Sequence, residues 1–359
     1  MTGSTIDGAM LRALDLARRG PAHGPNPQVG CVLLGADGTV LAEGWHEGAG
    51  TPHAEAAALH AAVEAGTRVD GATAVVTLEP CSHHGRTPPC AVALAEAGIR
   101  EVVFAVADPH PAGRGGAEYL RDHAVEVDQG VRAAEGEDLL RVWLTAVRQG
   151  RPFVTLKFAQ SLDGRVAARD GSSQWITGPV ARAHAHRVRA EVDAIVVGTG
   201  TVLVDDPSLT ARTPDGALAP HQPIRVVVGR RDVPADARLR GDGGALVQLR
   251  THDVHEVLAE LARLELRHVL VEGGSTLATA FLSGGTVDEV QAYVAPVILG
   301  AGLFALGDLG IDTLADGMRF GTRGVEPLGE DVLITLERRD GGPASPGTSG
   351  AESHGQEQH

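Results

Sequence analysis

One imidazole, two thiols and one carboxylate constrain this fold more than any other feature of the chain. His53-Ala-Glu55 is followed by Pro80-Cys81 and later by Cys90. These donors are far apart in sequence, so they can share a metal ion only if the fold brings them together. As a set they match a catalytic zinc site: three protein ligands, an open fourth position, and an acid/base that is not needed as a ligand. A structural zinc site would want four protein ligands and would leave Glu55 without a task. His83 and His84 lie between the two cysteines. Either can supply a fourth ligand, although a place beside a bound substrate suits them better.

The flanking pattern predicts where these residues sit. Val29–Leu34 and Val40–Gly44 read as a hairpin around Asp37-Gly38. His53–Glu64 reads as a helix, Ala74–Leu78 as a strand, Cys90–Ala97 as a helix stopped by Gly98, and Val102–Ala105 as a strand. The ligands therefore fall at the starts of two helices, where the helix dipole favours thiolate over thiol. A helix over Val131–Val147 runs out at Gln149-Gly-Arg-Pro152, the expected domain boundary. A second alternation follows. It has strands at Phe153–Phe158, Ala194–Val197, Ile224–Val228 and His268–Val271, and helices at Pro179–Arg189, Val254–Leu264 and after Gly274. Two α/β domains are expected, 1–149 and 150–340. The segment 341–359 is Gly, Pro, Ser, Glu, Gln and His without apolar periodicity, which predicts a disordered tail.

Bulk properties narrow the function classes. A chain of 359 residues, 43% hydrophobic, has room for two packed cores. A net charge of −15 argues against a nucleic-acid partner, since phosphate backbones call for a basic surface. No apolar run is long enough to span a membrane. Of three cysteines, only Cys31 lies outside the motif, in the apolar run Val29–Leu34, where it reads as a buried small hydrophobe. Sparse cysteine and no targeting segment predict a reducing cytoplasm.

The order H-x-E…P-C is the signature of zinc deaminases, in which the Glu moves protons and binds no metal. Glu55 would take a proton from water and pass it to the leaving amine, with an amidine-like ring carbon as the electrophile. The usual two-residue gap between the cysteines is here Cys81-Ser-His-His-Gly-Arg-Thr-Pro-Pro-Cys90. With Pro25-Asn-Pro-Gln-Val-Gly-Cys31, His46, Ala49-Gly50, Pro52-His-Ala-Glu55 and Thr77-Leu-Glu-Pro-Cys-Ser-His83, this stretch resembles the deaminase half of the bifunctional riboflavin-biosynthesis deaminase–reductases. The resemblance implies a cytidine-deaminase-like three-layer domain, zinc at His53, Cys81 and Cys90, Glu55 as proton carrier, and substrate contacts from Asn26, His46, His83 and Arg86. The chain departs from the family at Asp108-Pro-His110-Pro, where the family reads Asp-Pro-Asn-Pro.

The second half has no Gly-x-Gly-x-x-Gly after a strand, so a Rossmann cofactor site is not expected. It has two other Gly-rich turns, Val197-Gly-Thr-Gly-Thr201 and Val271-Glu-Gly-Gly-Ser-Thr-Leu277. Backbone amides at such turns can cradle a phosphate. With Val154-Thr-Leu-Lys157, Ser161-Leu-Asp-Gly164, Ser173-Gln-Trp-Ile-Thr177 and Asp205-Asp-Pro-Ser-Leu209, this half is similar to the family's reductase half. That likeness implies a dihydrofolate-reductase-like fold and NADPH, with cofactor contacts from Lys157, Trp175, Thr201, Asp205, Gly273, Gly274, Ser275 and Thr276. It also implies substrate contacts from Ser173, Arg189, Leu209, Arg212 and Glu272. The two arginines suit a substrate phosphate, which a guanidinium grips with two bonds. Val228-Gly-Arg-Arg231 departs from the family's Asp-Ser after this strand, and Arg230 is expected to pair with the 2′-phosphate of NADPH. The implied reaction deaminates a diaminopyrimidinone ribose phosphate and then reduces its ribose to ribitol. The alternative is a deaminase whose reductase-like half has changed or lost its activity. The family's habit implies a homodimer or homotetramer built through the reductase half.

Overall fold

A computed structural model of the chain describes residues 3–82, 88–110 and 113–339. The expected tail at 341–359, and His83, His84 and Arg86, lie outside the described residues. The chain divides into two compact units. One holds the residues up to Phe153 with Val188–Ala194 and Leu258–Val269, and the other holds the remainder.

The first unit is built on a five-stranded sheet. Its elements are α1 (Gly3–Ala17), β1 (Gly30–Leu34), β2 (Val40–Trp45), α2 (Ala54–Glu64), β3 (Thr73–Leu78), α3 (Cys90–Glu96), β4 (Glu101–Val106), α4 (Gly116–Asp122), β5 (Glu126–Gln129) and α5 (Ala133–Gln149). The strand order is β2-β1-β3-β4-β5. β1 runs antiparallel to β2 and β3, while β3, β4 and β5 are parallel. β1 and β3 are buried along their whole length, as strands covered on both faces are. The covering helices make a three-layer sandwich. α1 lies so close over Gly30 that a Cβ there would sit 2.0 Å from the Ala13 carbonyl oxygen. On the other face α2 lies over Gly44, where a Cβ would meet the Ala58 nitrogen at 2.4 Å. Cys31 pairs with Gly44 in the ladder, so Gly30 and Gly44 point to opposite faces. Cys31 is fully buried, as its apolar setting requires.

From Phe153 onward the chain is built on an eight-stranded sheet, order β10-β9-β8-β11-β6-β12-β15-β14. Its elements in chain order are β6 (Phe153–Ser161), β7 (Arg165–Ala167), α6 (Pro179–Glu191), β8 (Ala194–Gly198), α7 (Thr199–Asp205), β9 (Ile224–Val228), β10 (Leu246–Leu249), α8 (Val254–Arg263), β11 (His268–Val271), α9 (Ser275–Ser283), β12 (Glu289–Ala295), β13 (Leu303–Phe304), β14 (Phe320–Leu328) and β15 (Asp331–Arg338). β12 is parallel to β6 and antiparallel to β15, which turns back into β14. The Gly-rich segment 198–201, expected as a turn, is instead the start of the short helix α7. Among the described residues no helix is long and apolar enough to cross a membrane.

Candidate active sites

In the first unit the three expected ligands converge. His53 is the N-cap of α2 and Cys90 opens α3, while Cys81 follows β3. His53 Nδ1 lies 3.6 Å from Cys81 Sγ and 3.4 Å from Cys90 Sγ. All three donor atoms fall within 4.8 Å of one another. One imidazole and two thiols suit Zn²⁺, and three ligands leave its fourth position open. The Cys90 backbone N–H donates to Cys81 Sγ at 3.4 Å. Cys81 is pulled down to about 4, first by the hydrogen bond from the Cys90 thiol and then by His53. Cys90, which gives that bond, is pushed up.

Glu55 is 4% exposed, and burial pushes its carboxyl up to about 7. A group poised there can both accept and return a proton near neutral pH. The site opens on a cavity of about 650 Å³ lined by Asn26, His46, Glu55, Asp108 and His110 among others. Asn26 Nδ2 donates to His46 Nε2 at 2.9 Å, and His46 Nδ1 donates to the Pro52 carbonyl at 3.0 Å. Burial lowers the His46 pKa, which keeps the ring neutral as these two bonds require. Both ring nitrogens are thus occupied inside the protein. His46, expected to touch substrate, is in this geometry the residue that orients Asn26.

Three residues that the sequence reading passed over complete this cavity. Glu79, 8% exposed, accepts from the backbone N–H groups of Asp108 (3.1 Å), Gly115 (3.2 Å) and Ala117 (3.1 Å). It ties down both ends of the loop that carries His110. Asp108 accepts from the His110 N–H at 2.7 Å, and burial raises its pKa. Trp143 of α5 donates to the Pro25 carbonyl at 3.2 Å and so holds the Pro-Asn-Pro segment. A carboxylate closing the apolar run Thr73–Leu78 was the available signal for Glu79.

In the second unit two of the expected groupings form. Thr201 Oγ1 accepts from the Gly274 N–H at 3.2 Å, which joins the two Gly-rich segments 73 residues apart. A Cβ on Gly273 would crowd the Leu277 side chain at 2.7 Å, so the close packing of this turn on α9 requires glycine there. Ser275 and Thr276 open α9, with Gly274 as its N-cap, and Asp205 is the exposed last residue of α7. Lys157 Nζ lies 3.8 Å from Glu272, with side chains only 18% and 8% exposed. Leu209 is buried and held at φ +52°, a strained left-handed conformation of the kind that clusters at functional sites. Gln222 pins that segment by bonding both the N–H and the carbonyl of Ala211.

Other expected residues stand apart. Trp175 is 70% exposed, with Arg182 stacked 4.8 Å from its ring, and it lines a cavity of about 630 Å³ that includes none of the other expected cofactor residues. Ser173 is half-buried nearby in sequence, and Arg189 is half-buried in α6. Arg212 is exposed and donates to the Gly216 carbonyl at 2.7 Å. The cation set against the 198–201 segment is Arg231, not the expected Arg230: a Cβ on Gly200 would lie 3.3 Å from Arg231 Nη2. Arg230 is exposed, and its carbonyl accepts from Arg250.

Comparison with known proteins identifies the family of both halves. Residues 4–106 match the cytidine and deoxycytidylate deaminase zinc-binding region, and residues 152–334 match the RibD C-terminal domain. The chain is 48% identical over 338 residues to the riboflavin biosynthesis protein RibD of Mycobacterium tuberculosis, covering 93% of this chain and 98% of that protein. Its fold is similar to the diaminohydroxyphosphoribosylaminopyrimidine deaminase/5-amino-6-(5-phosphoribosylamino)uracil reductase of Thermotoga maritima, with TM-score 0.84 and 35% identity over 94% of this chain and 99% of that one. It is also similar to Acinetobacter baumannii RibD, with TM-score 0.85 and 37% identity over 94% and 99%. The expected fold class, a cytidine-deaminase-like N-terminal domain and a reductase C-terminal domain, is met.

Proposed function

Since the chain belongs to the family of the bifunctional riboflavin biosynthesis protein RibD, a zinc deaminase joined to an NADPH-dependent reductase, we propose how its own residues divide the work. Residues 1–149 deaminate the diaminopyrimidinone ribose phosphate, and residues 150–340 reduce the resulting ribosylaminouracil phosphate to the ribityl product.

The observation that carries this reading is the convergence of His53, Cys81 and Cys90 beside the buried carboxyl of Glu55. Zinc held by those three ligands supplies the Lewis acidity that readies a water for attack. Glu55 accepts a proton at its carboxylate and delivers it to the departing amine, so that water enters and ammonia leaves. Asn26, oriented by His46, and the Asp108–His110 loop, held by Glu79, grip the substrate, and the family likeness assigns His83 and Arg86 to it as well.

In the reductase half, NADPH supplies the hydride. The joined segments around Thr201 and Gly273–Thr276 hold its phosphates and Asp205 flanks it; the family likeness assigns Trp175 to the cofactor as well, although Trp175 lines a separate cavity. Lys157 and Glu272 face the reacting end, while Ser173, Arg189, Leu209 and Arg212 hold the substrate. The enzyme works in the cytoplasm as a homo-oligomer joined through this half. Leu162, Ile298, Leu303 and Phe304 are 56–70% exposed there. The Leu162 N–H donates to the Val297 carbonyl and β13 pairs with β7, and exposed apolar residues of this kind are what oligomer interfaces cover.

The decisive experiment supplies the diaminopyrimidinone ribose phosphate with and without NADPH and identifies products by mass. Deaminated product without NADPH, and reduced product only with it, are expected. Glu55→Gln should stop ammonia release while leaving zinc content near one per chain. Loss of zinc in that variant would mark Glu55 as a ligand and overturn its assigned role.

A further inference from the structure

The chain contains thirty arginines and a single lysine, Lys157. Everywhere else it meets the need for a cation with guanidinium. An ammonium differs in kind: it is a compact, strongly hydrated point charge on a flexible stem, whereas guanidinium is a planar fork. Position 157 therefore has a use for the compact charge, and the structure shows what surrounds it.

Lys157 lies on β6, paired with Gln291 of β12, and Tyr293 is paired with Ala159 two residues on. Residues two apart on a strand share a face, so Lys157, Ala159, Gln291 and Tyr293 project together. Ala159 is small, which leaves the Tyr293 ring room to lean toward Lys157. The Lys157 Nζ sits 5.3 Å from the ring centroid, within cation–π range. The same Nζ lies 3.8 Å from Glu272. The ammonium is thus within reach of both an aromatic face and a carboxylate.

The ring is in turn fixed. Tyr293 is 1% exposed and packs with Ala181, Ala185, Leu328 and Leu333. Its hydroxyl is hydrogen-bonded to His184 Nδ1 at 2.7 Å, and it donates to Gln291 Oε1 at 3.5 Å. Gln291 donates onward to Glu289 at 3.0 Å.

We propose that Tyr293, locked by His184, is the positioning residue that holds the ammonium of Lys157 against Glu272 in the reductase site. This rests on the reading above that Lys157 and Glu272 face the reacting end. Neither Tyr293 nor His184 touches the reacting atoms; they act through Lys157.

The single lysine makes the test direct. In full-length, zinc-loaded protein grown with ε-¹³C,¹⁵N-lysine, one side-chain signal reports on Lys157. Its ε-protons should be shifted upfield by the Tyr293 ring. Tyr293→Leu should move the signal to the free-lysine position and lower reductase kcat by roughly three- to thirty-fold, the worth of a cation–π contact. The deaminase rate should hold. Tyr293→Phe keeps the ring and should retain the upfield signal and most of the rate. His184→Ala frees the ring and should leave an intermediate shift. An unchanged lysine signal in folded Tyr293→Leu overturns the proposal. So does a lost signal with unchanged kcat, because the contact would then have no bearing on reduction. If the wild-type protein oxidised no NADPH, the reductase reading would fail, while the lysine signal would still decide whether Tyr293 holds Lys157.

Discussion

Gly44→Ala is the sharpest way to ask whether the zinc site depends on how closely α2 lies on the sheet. A Cβ at position 44 would stand 2.4 Å from the Ala58 nitrogen and 2.5 Å from the Ala54 carbonyl oxygen, where ordinary contact begins at 3.4 Å. Both obstacles are backbone, so no rotamer change relieves them. The helix must retreat by the difference between 2.4 and 3.4 Å, about 1 Å. Overpacking of this kind costs about 1–3 kcal/mol. For a unit of this size that is a fall in Tm of roughly 3–10 °C. The larger consequence is chemical, because α2 begins at His53 and carries Glu55 in its first turn. A misplacement of about 1 Å can reduce a rate by around 10²-fold. Ammonia release should drop by about that factor while NADPH oxidation with the deaminated intermediate is kept. Zinc content, Tm and both activities are measured on one preparation. A variant with wild-type ammonia release and an unchanged Tm would refute the idea that this contact sets the position of His53 and Glu55.

Three further substitutions probe other levels of the structure. His46→Ala removes the acceptor that orients Asn26 and should raise the deaminase KM about tenfold, the worth of one or two hydrogen bonds, with zinc retained; an effect on kcat alone would contradict the positioning role. Arg225 is fully buried and donates to the carbonyls of Leu239, Gly241 and Gly243. Arg225→Met strands those acceptors and should cost about 3–5 kcal/mol, read by calorimetry; a stable variant would show that the 239–243 loop is held by other means. Asp163 accepts from Ser161, Leu299 and Gly300, which hold its carboxyl down to about 2. Its folded pKa lies below the unfolded value of about 3.9, so its stabilisation is complete above that value and fades as pH falls through about 2. Asp163→Asn should melt below wild type at pH 7, with the gap closing between about pH 4 and 2; a constant gap would refute the assignment.

How much of this was readable in advance follows from where each interaction is encoded. The zinc triad was legible because its chemistry dictates residue types, and the helical and strand periods around them place His53 and Cys90 at helix starts. Buried strands were legible as continuous apolar runs, Val29–Leu34 and Ala74–Leu78 in the first sheet and Ala194–Val197 in the second. The chain from β12 to β15 was not. β14 reads Phe-Gly-Thr-Arg-Gly-Val-Glu-Pro-Leu and is largely exposed, so its strand character comes from pairing with β15 and not from burial. The reductase contacts were harder still, because they depend on which turn meets which. The bond from Gly274 to Thr201 crosses 73 residues, and no local pattern announces it. Nor does any pattern choose Arg231 over Arg230, since β9 ends at Val228 and the alternation that assigns faces ends with it. Lys157 shows the opposite case. Its rarity, one lysine against thirty arginines, was visible in the composition alone, but it acquires meaning only when Tyr293 and Glu272 are seen beside it. Composition marked the position as chemically distinct, and tertiary structure supplied the reason.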